Sequence, residues 1–205
     1  MPVVLLIRHG ENDYVRQGRL PGRKPGVHLN EKGRQQAQAL AEKLKEAPVK
    51  AVYSSPLERA VETAHPIAAA LGLKVVPREG LMETDVGDWQ DKKLKGLARL
   101  KIWRQLMIAP SRFRFPGGEG FVETQERIRR EIDSLCTLHD PKDLFVCVSH
   151  ADPIKLAVAF YLGLPIDLFQ RLSISPASIS ALMIHEHGSR LLMLNYDLSL
   201  NFTKP

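Results

Sequence analysis

Two histidines sit directly behind apolar runs: His9 after Val3-Val4-Leu5-Leu6-Ile7 and Arg8, and His150 after Leu144 to Val148 and Ser149. A third run, Ala51-Val52-Tyr53, ends in Ser54-Ser55-Pro56 with Arg59 just beyond. In open α/β sheets, reactive groups gather where strands end and helices begin. These junctions therefore bring two imidazoles and two guanidiniums to one edge, beside backbone N–H groups suited to an anion. Such a set suits phosphoryl transfer. Guanidinium forks match phosphate oxygens bidentately and carry fixed positive charge. An imidazole beside two arginines has its protonated form disfavoured, which leaves a neutral nucleophile near pH 7. A carboxylic acid must then protonate the leaving oxygen. The segment Leu81 to Trp89 offers Glu83, Asp85 and Asp88, and spacing alone does not choose among them.

The elements that must position these groups are legible as patterns. Val3 to Ile7 is a β-rich run, as expected of a strand covered on both faces. Asn30 is placed to cap a helix with the buried stripe Ala37, Leu40, Ala41 and Leu44. Ser55 and Pro56 read as an N-cap and first-turn proline, opening a helix to Gly72 with a kink at Pro66. Leu73 to Val76 is a third strand. The stretch from about Asp85 to Pro116 reads as a helical excursion anchored by Leu94, Leu97, Ile102, Trp103 and Leu106. A helix striped by Phe121, Ile128, Ile132, Leu135 and Cys136 follows. Asp152-Pro153 then reads as a second N-cap and first-turn proline after the strand 144–148, for a helix ending at Gly163. The chain closes in a hairpin, Ser178 to Ile184 and Leu191 to Asn195, turning at His187-Gly188-Ser189. Strand–helix alternation predicts a three-layer α/β sandwich with a mostly parallel sheet and one antiparallel region near the C-terminus. Without repeats or linkers, residues 1–205 read as one domain carrying a small helical insertion around 88–116.

Composition fits that picture. The 205 residues are 44% hydrophobic and 25% charged, which excludes disordered and low-complexity classes. No apolar stretch reaches the roughly 20 residues of a membrane span, and the N-terminal run is too short for an export signal. A cytoplasmic location is expected. Cys136 and Cys147 fall in apolar patterns and read as buried thiols in a reducing compartment. The net charge of +6 fits a small phosphorylated metabolite as well as a nucleic acid. No recognition motif or aromatic–basic pattern supports the latter.

Beyond composition, Arg8-His9-Gly10-Glu11 resembles the RHGE motif of the histidine phosphatase superfamily, in its phosphoglycerate-mutase-like branch. Further segments resemble that family in the same order: Ser54 to Ala60 with Thr63-Ala64, Leu81 to Trp89, Pro116-Gly117-Gly118-Glu119, Ser149-His150 and Pro176 to Ser180. An ordered set is far more specific than a lone RHG. Within the branch, Pro25 to Leu29, Phe115 to Gly120 and Asp167 to Arg171 resemble a loosely characterised subgroup of probable phosphomutases.

The resemblance implies roles. His9 attacks phosphorus and becomes phosphohistidine; Arg8, Arg59 and His150 hold the phosphoryl oxygens, with the Ala151 backbone N–H; Glu83 is the proton donor. It implies neither metal nor cofactor. Three positions depart from the pattern: Val15 where many relatives carry a phosphate-contacting Asn, Ala151 for the glycine after SH, and Gln90-Asp91 after the tryptophan. Arg16, Arg19, Arg23 and Lys24 form a basic loop behind the nucleophile, and Arg16 and Arg23 are expected to contact substrate. Glu11 and Glu119 are expected to brace the arginines, and Trp89 and Trp103 to pack. His185-Glu186-His187 looks like a metal clip but reads as solvated hairpin residues, and His28, His65 and His139 carry no functional reading. A phosphatase is expected ahead of a phosphomutase, because familiar mutases of the family carry a longer insertion than 88–116. A non-catalytic phosphate sensor and a metallohydrolase are weaker rivals. Oligomeric state, a dimer included, stays open.

Overall fold

The computed structural model describes residues 2–185 and 188–198. Strands β1 (Val3–Arg8), β2 (Val49–Ser54), β3 (Val75–Pro77), β4 (Leu144–Ser149), β5 (Ile179–Met183) and β6 (Arg190–Tyr196) form one sheet in the order β3-β2-β4-β1-β5-β6. Pairings among β1 to β4 are parallel, while β5 runs against both its neighbours. The third strand is shifted towards Pro77 relative to expectation, and the hairpin turn at His187 lies outside the described residues.

Both faces of the sheet are covered, as a run without polar alternation requires. Leu5 and Ile7 point to the side of helices α2 (Glu31–Leu44) and α3 (Glu58–Ala70), where Leu40, Leu44, Ala64 and Ile67 are buried. Val4 and Leu6 point the other way, into Ile128, Ile132 and Leu135 of α6 (Phe121–Cys136) and Ile154 of α7 (Ala151–Tyr161). The short helices α1 (Asp13–Arg16), α4 (Leu94–Leu97) and α5 (Lys101–Ile108) complete the set. Three layers result. The excursion builds a third apolar cluster in which Trp89, Leu97 and Leu106 meet Phe113, Phe121 and Phe169, although Leu94 stays exposed rather than anchoring it.

Asn30 caps α2 as expected, its Oδ1 accepting from Gly33 N at 2.9 Å. Two other expected caps are corrected. Helix α3 starts at Glu58 with Leu57 at the N-cap, and α7 starts at Ala151 with His150 at the N-cap. Ser55 Oγ accepts a long bond from Leu57 N (3.4 Å) but lies closer to His150 Nε2 (2.8 Å), and Asp152 lines a cavity. Pro66 stands inside α3, which continues unbroken to Ala70. Cys147 is buried, but Cys136 is only half-buried.

Candidate active site

Backbone register brings the three strand ends level. Arg8 pairs with Ser149 and Ser54 with Val148, so β1, β4 and β2 stop on the same edge. The ladder continues one residue further, with His9 N donating to Ser149 O (3.0 Å) and Ser55 N to Val148 O (2.9 Å). Ala177, at φ +58°, donates its N–H to both Arg8 O (3.0 Å) and His9 O (3.2 Å). A non-glycine residue held in the left-handed region costs roughly 1–3 kcal/mol, here compensated by fixing the Arg8-His9 backbone. Gly10 is required by close approach: a Cβ there would lie 2.6 Å from Gly33 O, at the start of α2.

His9 is 2% exposed. Its Nδ1 lies 2.7 Å from Gly10 O, an acceptor only, so Nδ1 carries the proton and Nε2 keeps its lone pair. Burial first, then the charges of Arg59 and Arg8, holds this imidazole well below its ordinary pKa. The His150 ring stands 5.1 Å away, edge-on, and is likewise kept neutral by burial, then by Arg59 and His9. Its Nε2 is 2.8 Å from Ser55 Oγ. Arg8 donates from one terminal nitrogen to Ile174 O (2.6 Å), and Arg59 from one to Gly22 O (2.8 Å). Buried beside them, Arg8 Nε, Arg59 Nε, Arg59 Nη1 and His150 Nδ1 have no partner in the protein. Buried donors of this kind are nearly always satisfied, so four together mark a place for an acceptor-rich anion.

Glu83 is the carboxyl drawn into this group. Burial first, then the charge of Asp152, outweighs Arg59 and Arg8 and pushes its pKa up to about 7. Its segment is pinned from several sides. Ser149 Oγ donates to Leu81 O (2.7 Å), and Arg127 donates to Gly80 O (3.0 Å) and Met82 O (2.9 Å). Arg23 Nε donates to Glu83 O (2.8 Å), and Glu119 ties Arg23 (2.8 Å) to Arg127 (3.0 Å).

The cavity behind this group has a volume of about 320 Å³ and is lined by Arg8, His9, Glu83 and Ala151 among others. Arg59 and His150 stand behind its wall, buried, and Arg16 and Arg23 do not reach it. Arg16 pairs with Asp13 on a side chain 64% exposed, and Arg23 is held in the Glu119 brace. Glu119 does brace arginines, but Arg23 and Arg127 rather than Arg8 and Arg59, and Glu11 pairs with Lys32 instead. Trp89 and Trp103 stack at 6.0 Å, yet both also line the cavity, as does Val15. Sequence reasoning misses Ser55, Asp152 and Arg127 as parts of the site, since Ser55 and Asp152 carry the pattern of helix caps. Among the described residues, no group of three or more His, Cys, Asp or Glu side chains is placed to hold a metal ion, and no helix is long and apolar enough to cross a membrane.

Known proteins share the sequence pattern and the fold of this chain. A family model described as histidine phosphatase superfamily (branch 1) matches residues 4–197. A bifunctional protein of Mycobacterium tuberculosis is 36% identical over 194 residues, covering 91% of this chain and 51% of that protein. The chain thus spans about half the length of its mycobacterial relatives. A probable phosphoglycerate mutase, GpmB of Erwinia tasmaniensis, is 32% identical over 179 residues, covering 86% of this chain and 82% of that one. Among solved structures, a mycobacterial glucosyl-3-phosphoglycerate phosphatase in complex with VO3 matches at a TM-score of 0.87 and 30% identity, covering 95% of this chain and 99% of that one.

Proposed function

This chain belongs to the histidine phosphatase superfamily, branch 1, whose members named above are phosphatases and phosphomutases, and from that premise we propose that it is a metal-independent phosphomonoester hydrolase working through phospho-His9. The observation that carries the reading is the set of four unpartnered buried donors on Arg8, Arg59 and His150, grouped around an imidazole whose Nε2 is free. In the first half-reaction Nε2 of His9 attacks phosphorus in line, and the P–O bond to the alcohol breaks. Glu83, a neutral acid below pH 7, gives its proton to the departing oxygen. In the second, Glu83 takes a proton from water, the water oxygen attacks phosphorus, and the N–P bond returns its electrons to His9. Arg8 and Arg59 supply the positive charge that a metal ion supplies in other phosphoryl-transfer sites. With the Ser55 hydroxyl donating to His150 Nε2, the single proton of this neutral ring sits on Nδ1 and faces the phosphoryl group. Ala151 opens α7, and its N–H adds a further donor at a helix N-terminus. The small phosphorylated metabolite expected as partner would enter through the same cavity.

The test is rapid acid-free quenching during turnover of a ³²P-labelled phosphomonoester. Label is expected on His9, and His9→Ala is expected to lower turnover at least about 10⁴-fold with the fold intact by circular dichroism. Absence of label in the wild type, or full turnover by His9→Ala, refutes the reading. A phosphomutase, as the likeness to GpmB suggests, would share the first half-reaction. Assaying 3-phosphoglycerate with and without its bisphosphate primer separates the two, since a hydrolase releases phosphate faster than it isomerises.

A further inference from the structure

The cavity next to His9 is unequal in character. Its polar wall is Arg8, His9, Arg19, Glu83, Asp152 and Gln170, and the rest is apolar, including Leu20, Trp89, Leu94, Trp103, Met107 and Phe115. Trp89 is backed by Phe113 at 5.6 Å and Phe115 at 5.3 Å, with Phe115 in turn against Phe121 at 5.4 Å, so this wall is a packed aromatic cluster. Small-molecule sites commonly combine a dominant apolar lining with a few convergent polar groups.

The charges decide what such a chamber accepts beyond the phosphoryl group. Among the described lining residues the cations are Arg8 and Arg19. Arg8 belongs to the phosphoryl end. Arg19 is hydrogen-bonded to Asp91, donating to its backbone oxygen (2.8 Å) and to its Oδ1 (2.5 Å), while Lys24 donates to the other oxygen of the same carboxylate (2.6 Å). The remaining ionisable side chains at the wall are Asp152 and Glu83, the latter protonated when it acts as the acid. Lys155 lies near Asp152 (3.8 Å) and donates to Gln170 (3.2 Å), but it does not line the cavity. A leaving group bearing its own carboxylate would find Arg8 engaged by the phosphoryl group and Arg19 already donating to Asp91, in a chamber whose wall is otherwise mostly apolar. Burying a charge on those terms is strongly unfavourable.

We infer that the alcohol released by this enzyme is uncharged and apolar, an aryl-bearing or medium-chain alkyl alcohol, rather than a carboxylated fragment such as serine or glycerate. The inference rests on the phosphohistidine reading and narrows it to a substrate class. Position 15 fits it: where many relatives place a polar Asn, Val15 adds one more apolar group to the lining.

The test compares esters of unactivated alcohols, so that leaving-group reactivity does not confound binding. Expected is a kcat/KM for 2-phenylethyl phosphate at least about 100-fold above those for O-phosphoserine and 3-phosphoglycerate. It should also rise about three- to fourfold per methylene from propyl to hexyl phosphate. Trp103→Ala should cut the preference for 2-phenylethyl phosphate over O-phosphoserine about tenfold. Leu94→Arg, at a site 37% exposed and so open to a longer side chain, should cut it by raising turnover of O-phosphoserine. Equal or better turnover of the carboxylated esters, with label trapped on His9, overturns this inference and leaves the phosphohistidine reading standing. An unchanged preference in both variants overturns it as well. If no ester places label on His9, the parent reading fails and takes this one with it.

Discussion

Glu83 and His9 are held in opposite senses by the same neighbours. Burial disfavours charge on both, but the guanidiniums of Arg8 and Arg59 add to that effect on the imidazole and oppose it on the carboxyl. Neutral base and neutral acid therefore coexist near pH 7, which is the pairing that phosphoryl transfer to nitrogen with protonation of the leaving oxygen needs. The pH dependence follows by sign. In the proposed mechanism Glu83 carries its proton in the first half-reaction, so kcat/KM is expected to fall about tenfold per unit as pH rises above about 7. His9 imposes no limb of its own until well below 6.5. Glu83→Gln should lower kcat/KM by about 10²- to 10⁴-fold at pH 6 and abolish the fall above 7; a variant profile that keeps the fall would assign the acid elsewhere. Stability moves the other way. A carboxyl whose folded pKa is raised from 4.5 to about 7 destabilises the fold progressively as pH rises through that interval. Glu83→Gln should thus stabilise the protein by up to about 3 kcal/mol above pH 7 and by nothing below 4.5, measured as urea unfolding at both pH values.

Between elements, the site is held by a brace whose residues do not line the cavity. Glu119, just before α6, joins Arg23 to Arg127, and both arginines donate to the Glu83 carbonyl (2.8 and 3.3 Å). Burial pushes Glu119 up, but the Arg127 hydrogen bond, the Asp85 N–H and the Arg23 charge outweigh it and bring it to about 2. Its contribution to stability is therefore present above 4.5 and lost as pH falls towards 2. Glu119→Gln should cost about 2 kcal/mol at pH 7, between the exposed and buried limits for an ion pair, and nothing near pH 2. It should also lower kcat/KM about tenfold by loosening Glu83; a loss of stability with full activity would show that the clamp positions nothing. The strand ends were legible in the sequence because buried β-rich runs stop abruptly at Arg8-His9, Ser54-Ser55 and Ser149-His150, and parallel register then aligns them. The starts of α3 and α7 were not. A Ser-Pro or Asp-Pro pair signals a cap through an oxygen ready to accept a nearby N–H, and the same oxygen serves a site equally well. Ser55 went to His150 and Asp152 to the neighbourhood of Glu83. The aromatic chamber was hidden for another reason. Trp89, Trp103, Phe113, Phe115, Phe121 and Phe169 come from separate segments that share no period, so only their packing reveals them as one wall.

Across the whole molecule, the site exists only when distant segments meet. Arg8 ends β1 and His9 follows it, Arg59 lies on α3, Glu83 beyond β3 and His150 beyond β4, and β1 meets β4 by pairing from Val3 with Leu144 to Arg8 with Ser149. No short stretch of unfolded chain reproduces these donors, so an oxyanion that fits them binds the folded state alone and must stabilise it by mass action. Orthovanadate carries the oxygens that the four unpartnered donors lack partners for, and a net charge of +6 favours its approach. At a hundred times its dissociation constant, the stabilisation is about 2.7 kcal/mol, which for a chain of this length corresponds to a rise in Tm of about 5–10 °C. On the proposed reading Arg8 and Arg59 hold the anion without an intermediary ion, so the same rise is expected in the presence of EDTA. Arg59→Ala should lower the rise severalfold whatever it does to the Tm of the free protein, since the shift and not the baseline reports on binding. Differential scanning calorimetry of both proteins, with and without vanadate and with and without chelator, reads all of this in one series. A shift that vanishes with EDTA, or survives intact in Arg59→Ala, would move the oxyanion site away from the strand ends.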